Sequence, residues 1–199
     1  MAGDCVPGGE APGAIADVLD RLSGPTTLPC FLASLPRPLP VVASADVFSA
    51  QPAVGERSPR LLLHRDGLTM TVVPEGPGVG LLELGEDAGG GLSVKAEIAF
   101  PVDGPLDEAA PYDRVREPDG GTGCGVCHGG EVAVGAAYAS RAIRPLPERV
   151  VPLDQVAAEA SACGEAADPR CAVLRAVFGH GEVVAGPLPA SWPTLYDAR

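Results

Sequence analysis

The chain has 199 residues, 46% of them hydrophobic, and a formal net charge of −12. This length and apolar content suffice for one domain with a buried core. An acidic chain offers no basic surface for nucleic acid phosphates or for anionic membranes. No run approaches the roughly 20 consecutive apolar residues that cross a bilayer, so we expect no transmembrane segment.

The first 27 residues are predicted to be a flexible lead-in to a single β-rich domain over residues 28–199. Within the lead-in, Ala14 to Leu22 has apolar residues on one helical face, which predicts a short helix. The stretch from Met1 to Cys5 has neither the charged start nor the apolar run of a cleavable signal peptide. Four prolines interrupt residues 28–40, so we expect that segment to be extended.

Short apolar runs separated by turns predict strands between residues 41 and 103. Runs at 60–64 and 68–73 flank Asp66-Gly67, and Asp-Gly between apolar runs favours a hairpin because type I′ turns need positive φ. Residues 80–84 and 92–100 are expected to be further strands. The predicted fold class is mixed and mainly β (α+β), with an antiparallel β-sandwich or barrel-like core and a C-terminal pair of short helices.

The second half of the chain is predicted to combine a polar link, further strands and a helical closure. A short helix is expected near residues 106–110, and one or two strands within 131–143. The helical closure covers residues 152–180, where Asp168-Pro169 supplies an N-cap and first turn for the second helix and Gly179 ends it. Residues 181–199 are predicted to be an irregular tail.

A C-x-x-C-H motif, Cys124-Gly-Val-Cys127-His128, stands in the loop over residues 117–130. Two thiols at this spacing can add to the two vinyl groups of a haem, and the histidine that follows can bind the iron from one side. The same residues would also suit a redox disulfide with a low-pKa thiolate. As a third interpretation they would supply three ligands of a zinc site.

Residues Gly123 to Gly130 resemble the haem-attachment segment of c-type cytochromes. The resemblance covers about eight residues, and it implies one covalent haem c held by thioethers to Cys124 and Cys127, with His128 as proximal iron ligand. Cytochromes of that family place a helix before the motif and a ligand methionine after it. Here a Gly/Pro/Asp-rich loop comes before, and no methionine follows. The resemblance therefore implies the cofactor and not the small all-helical cytochrome fold.

A second axial iron ligand is predicted to be His180, or in second place Met70. His64 is a further candidate by residue type. Each has an ordinary structural alternative, since a strand methionine usually packs in a core and a histidine after a helix commonly interacts with the helix end. Without a second ligand, the iron would be open to small ligands or peroxide.

The four remaining cysteines are expected to pair as Cys163–Cys171 and Cys5–Cys30, although other pairings fit the sequence too. Two disulfides and one haem would account for all six thiols. Such pairing occurs in oxidising compartments, so the sequence predicts a periplasmic or secreted protein. This localisation follows from the cysteines and the haem motif and not from the first residues of the chain.

The sequence thus predicts an extracytoplasmic c-type haem protein, for one-electron transfer with a redox partner protein or for sensing a small ligand. The first alternative is a non-enzymatic secreted β-domain whose C-x-x-C is a disulfide or part of a zinc site. The second is a haem peroxidase-like enzyme. A carrier or binding protein is favoured over an enzyme, and no catalytic residues are predicted, because no G-x-S-x-G, P-loop or H-E-x-x-H pattern occurs.

Overall fold

The computed structural model describes residue 5 and residues 8–164 and 168–197. Within these ranges, nine strands form one sheet. Numbered along the chain, they lie in the spatial order β6 (Val132–Val134), β7 (Ala137–Arg141), β5 (Leu92–Ala99), β4 (Leu81–Gly89), β3 (Leu68–Val72), β2 (Arg60–Arg65), β1 (Leu39–Ser44) and β8 (Val150–Val151), with β9 (Val183–Ala185) paired to β1. The pairs are antiparallel except for β9, which runs parallel to β1. The mainly β, α+β class is confirmed. The predicted sandwich or barrel is wrong, because the strands form a single sheet that does not close on itself.

The helices are α1 (Ile15–Arg21), α2 (Leu28–Ser34), α3 (Ala110–Asp113), α4 (Gly125–His128), α5 (Leu153–Ala162) and α6 (Pro169–Phe178).

The predicted Asp-Gly hairpin joins β2 to β3. Asp66 and Gly67 have φ values of 50° and 88°, and Arg65 pairs with Leu68 directly across the turn. Both turn residues lie in the left-handed region, as a type I′ turn requires. The hairpin prediction is therefore confirmed, and it sets the register that decides which face of the sheet each side chain occupies.

The central strands β2 to β5 alternate apolar and polar residues, so the two faces of the sheet differ in character. One face belongs to the hydrophobic core and carries Leu61, Leu63, Leu68, Met70, Val72, Leu82, Leu84, Ala96 and Ile98. The intervening residues line a cavity on the other face, and they include Arg60, Leu62, Thr69, Thr71, Glu83, Gly85, Ser93, Lys95 and Glu97. We call this second side the open face.

Helices α1, α2, α5 and α6 contribute to the same core as the apolar face of the sheet. Ile15 and Val18 of α1 are fully buried there, so the helix predicted within residues 14–22 is part of the domain core and not a separate lead-in. Phe31 of α2 and Leu174 of α6 are buried in the same cluster. Burial of this apolar surface is the main source of stability in a fold of this kind.

Residues 28–34 form helix α2, so the prediction that segment 28–40 is extended is wrong for its first part. Thr27 is the N-cap, and its side chain accepts a hydrogen bond from the Cys30 backbone N–H at 3.3 Å. Pro29 stands in the first turn, where the N–H that proline lacks has no helical partner in any case. Proline therefore starts this helix instead of preventing it.

The predicted helical closure is confirmed by α5 and α6. Asp168 caps α6 by accepting a hydrogen bond from the Cys171 N–H at 2.9 Å, and Gly179 ends the helix. Two differences are local: α3 lies at Ala110–Asp113 instead of 106–110, and the tail predicted to be irregular contains β9. Among the described residues, no helix is long and apolar enough to cross a membrane.

Both predicted disulfides, Cys5–Cys30 and Cys163–Cys171, are present in the structure. The first links the chain before α1 to α2, and the second links the end of α5 to the first turn of α6. Two structural disulfides are typical of a protein that folds in an oxidising environment outside the cytoplasm.

Candidate functional site

The C-x-x-C-H motif forms one helical turn. Cys124 is the N-cap of α4, and the His128 N–H donates to the Cys124 carbonyl at 3.0 Å. Gly129, with φ of 62°, ends the turn. Residues three or four apart share one side of a helix, so this conformation brings the side chains of Cys124, Cys127 and His128 to the same region.

Glu131 anchors the turn from the strand side. Its carboxylate accepts hydrogen bonds from the backbone N–H (2.8 Å) and the hydroxyl of Thr122. A Cβ atom at Gly121 would overlap the carboxylate, and one at Gly125 would come within 3.0 Å of it. The backbone of the loop therefore wraps closely around Glu131. Neither Glu131 nor Thr122 was predicted as a site residue, and only the density of glycines in this segment hinted at such a close approach.

The side chains of the motif line a cavity of about 340 Å³ on the open face of the sheet. This volume lies at the small end of the range for small-molecule sites, about 300–1,000 Å³. Strands β2 to β5 form the floor. The walls are the motif turn, residues 46–50, residues 142–145, and Trp192 with Leu195 from the C-terminal segment.

His128 is held in one orientation by the backbone of β7. Its Nδ1–H donates to the Arg141 carbonyl oxygen at 2.7 Å, which leaves Nε2 as the nitrogen able to bind a metal. Burial, together with the positive charge of Lys95, lowers the pKa of His128 to about 3. The imidazole is therefore neutral at physiological pH, as a metal ligand must be.

Cys124 and Cys127 are free thiols. Cys127 is exposed, whereas Cys124 is partly buried against the cavity. Burial raises the pKa of Cys124, and the nearby positive charge of Lys95 acts in the opposite direction. Both thiols remain available for covalent chemistry.

Lys95 of β5 is a buried ammonium in the cavity floor, with 8% of its surface exposed. Its Nζ donates to the Ser93 hydroxyl at 2.7 Å and to the Arg141 carbonyl at 3.4 Å. The ion pairs found in the described part of the chain do not include it. Burial lowers the pKa of Lys95 to about 8. Sequence analysis missed this residue, because nothing in the local pattern separates it from a solvated strand lysine.

The other charged groups of the floor are paired. Arg60 and Glu83 form an ion pair at 2.6 Å, and Arg114 and Glu97 form another at the same distance. Burial raises the pKa of Glu83, and the attraction of Arg60 opposes that rise. Among the described residues, the two floor carboxylates are thus each paired with an arginine, whereas Lys95 forms no ion pair.

The structure does not bring the two predicted second ligands to this cavity. Met70 is 5% exposed and packs in the core on the opposite face of the sheet. His180 is exposed after the end of α6 and does not line the cavity. His64 lies at the border of the cavity and contacts two of its lining residues. Its Nδ1 is 2.9 Å from the Thr69 hydroxyl, and its ring packs edge-on against Trp192.

Among the described residues, no group of three or more His, Cys, Asp or Glu side chains is arranged to hold a metal ion. A haem iron takes four of its ligands from the porphyrin, so the haem predicted from the sequence would not require such a group. Comparison of the chain with protein-family models, with curated proteins and with solved structures finds no match.

Proposed function

We propose that this protein is an extracytoplasmic c-type haem protein, which transfers single electrons or binds a small ligand at the iron. Cys124 and Cys127 would carry the haem and His128 would bind the iron. The observation that supports the proposal is the shared cavity: two free thiols and a neutral imidazole with Nδ1 already hydrogen-bonded all line it.

The residues around the motif fit a haem in part. The thiols are not consumed by disulfides, and a backbone carbonyl orients the histidine as metal-bound histidines require. Arg144 lines the cavity and offers guanidinium donors to a propionate. The cavity is small for a haem, so we expect one haem edge to stay exposed to solvent. When bound, the haem would supply one-electron chemistry and an iron site for diatomic ligands.

Haem staining of a denaturing gel tests the proposal. The chain would be expressed with a signal peptide alongside the c-type maturation machinery, and haem that survives denaturation must be covalent. We expect a stained band for the wild type and none for Cys124→Ala/Cys127→Ala. The matched control is Cys163→Ala/Cys171→Ala, which also removes two cysteines but lies outside the cavity and should keep the stain. An unstained wild type would contradict the proposal.

The visible spectrum then separates electron transfer from ligand binding. A low-spin spectrum that cyanide leaves unchanged indicates six-coordinate iron and electron transfer, whereas a high-spin spectrum that cyanide alters indicates an open position. Because neither Met70 nor His180 lines the cavity, we expect the second result for this chain.

A second candidate is a redox dithiol at Cys124 and Cys127. It is favoured by the C-x-x-C spacing of two free thiols within one helical turn, in a chain whose pairs Cys5–Cys30 and Cys163–Cys171 are already disulfides. In that reaction the two thiols would lose two protons and two electrons and form a disulfide, while a disulfide of a partner protein is reduced. Alkylation of haem-free protein after equilibration with glutathione buffers would reveal it. Complete haem attachment would exclude it, because both sulfurs are then consumed.

A further inference from the structure

We propose that Lys95 is a positioning residue for His128, acting through the Arg141 carbonyl to raise the reduction potential of the haem iron. The inference rests on the proposed function, since it concerns the iron that His128 would bind. It assigns a role to a buried charge that neither haem attachment nor iron ligation uses.

Two donors converge on one acceptor. The Arg141 carbonyl oxygen accepts from His128 Nδ1–H at 2.7 Å and lies 3.4 Å from Lys95 Nζ. The Ser93 hydroxyl, 2.7 Å from Nζ, holds the ammonium in this position. Lys95 therefore lies on the Nδ1 side of the imidazole and cannot be a ligand on the opposite side of the iron.

The shared carbonyl weakens electron donation from histidine to iron. A metal-bound histidine becomes more basic when its second nitrogen donates to a strong acceptor. A carbonyl that also accepts from an ammonium attracts the Nδ1 proton less strongly, so His128 donates less to the iron. Weaker donation favours the reduced state over the oxidised state.

The charge of Lys95 acts in the same direction. Oxidation adds one positive charge at the iron, and a buried ammonium opposes it more strongly than a solvated one would. Neither nearby carboxylate forms an ion pair with Lys95: Glu83 pairs with Arg60, and Glu131, which attracts the ammonium from a greater distance, accepts hydrogen bonds from Thr122. The weakened hydrogen bond of His128 and the charge of Lys95 therefore both predict a higher reduction potential of the haem iron with Lys95 than without it.

Redox titration of haem-loaded Lys95→Met against the wild type at pH 6 tests the inference. We expect the ratio of oxidised to reduced haem at a fixed potential to rise about tenfold in Lys95→Met, a fall in potential of about 59 mV for one electron. Lys95→Arg keeps the charge and should stay within about threefold of the wild type. Arg149→Met, which removes one exposed charge outside the cavity, is the control and should not shift.

A spectroscopic readout separates this role from a merely structural one. In the reduced, carbon monoxide-bound protein, which is diamagnetic, the His128 Nδ1–H proton resonance should move downfield in Lys95→Met, because its hydrogen bond to Arg141 strengthens. If Lys95→Met does not accumulate, Lys95→Gln serves the same comparison. An unshifted potential in the neutral variant, or equal shifts in Lys95→Met and Lys95→Arg, overturns the role of the charge. A wild type without haem overturns the proposed function and this inference together.

Discussion

The two faces of the central sheet are built from the same strands and have opposite chemistry. On one face, Leu82 and its neighbours pack against four helices in a continuous apolar core. On the other, Glu83 and Lys95 lie in the floor of a cavity beside the cysteine motif. Adjacent residues on β4 thus belong to different environments, since Leu82 packs in the core and Glu83 lines the cavity.

The difference indicates where stability and function reside. Burial of apolar side chains stabilises the core face, whereas burial of Glu83 and Lys95 disfavours their charged forms, as their shifted pKa values show. Charged groups that cost stability are typical of functional sites. The open face is therefore the place to look for function, and it is the face that holds both thiols and His128.

The largest expected effect is the loss of a core side chain. Leu82→Ala should lower the free energy of unfolding by about 3–4 kcal/mol, since it leaves a hole in a packed interior. The same change at Leu62, on the cavity floor, should cost about half as much, because that side chain borders open space. Urea denaturation measures both. Equal losses would show that the two faces are packed alike.

The next effect is a pH dependence caused by Lys95. Its pKa is about 8 in the folded protein and 10.5 as the ordinary value, so between these values the unfolded chain binds more protons. Stability should therefore rise with pH across this window, by about 3 kcal/mol. The control is Lys95→Met, whose stability should show no such rise. Both proteins carry Cys124→Ser and Cys127→Ser to prevent thiol exchange. Parallel pH profiles for the two proteins would contradict the prediction.

Removing one member of a floor ion pair should have a somewhat smaller effect. Arg60→Met leaves Glu83 partly buried without its partner, and we expect a loss of about 2 kcal/mol at pH 7. The loss should shrink at pH 4, because burial already raises the pKa of Glu83 and the carboxyl then becomes neutral. Adding Glu83→Gln should restore most of the stability. A double variant no more stable than Arg60→Met would show that the pair is not coupled.

The smallest expected effect is at the motif turn. Glu131→Gln weakens the hydrogen bonds to Thr122 and should cost about 1 kcal/mol. In haem-free protein, alkylation of the partly buried Cys124 should become several-fold faster, while the already exposed Cys127 reacts as before. Mass spectrometry of the alkylated peptides distinguishes the two thiols. Equal acceleration at both would indicate general unfolding instead of a loosened turn.

Local signals in the sequence predicted much of the fold. Asp66-Gly67 predicted its hairpin and Asp168-Pro169 the start of α6, because both depend on backbone conformations that those residues adopt by themselves. Segment 28–34 was predicted incorrectly. The same proline can begin a helix or interrupt a strand, and the Thr27 cap together with burial of Phe31 against the core decides between them.

In the candidate site too, the residues close together in the sequence were predicted better than the distant ones. The spacing of Cys124, Cys127 and His128 predicted that these side chains form one site, and a single helical turn does bring them together. Met70 and His180 were predicted from residue type alone. Strand register places Met70 on the core face and the end of α6 leaves His180 exposed, so neither lines the cavity.

The sequence by itself determined the alternation of β2 to β5 and the C-x-x-C-H motif, since each depends on residues close in the chain. It left several cysteine pairings open, and the structure selects Cys5–Cys30 and Cys163–Cys171. Only the tertiary structure decided which face the helices cover and that Lys95 reaches the carbonyl that holds His128. The reason is that periodicity says which residues share a face, while long-range strand pairing and helix packing decide what that face meets.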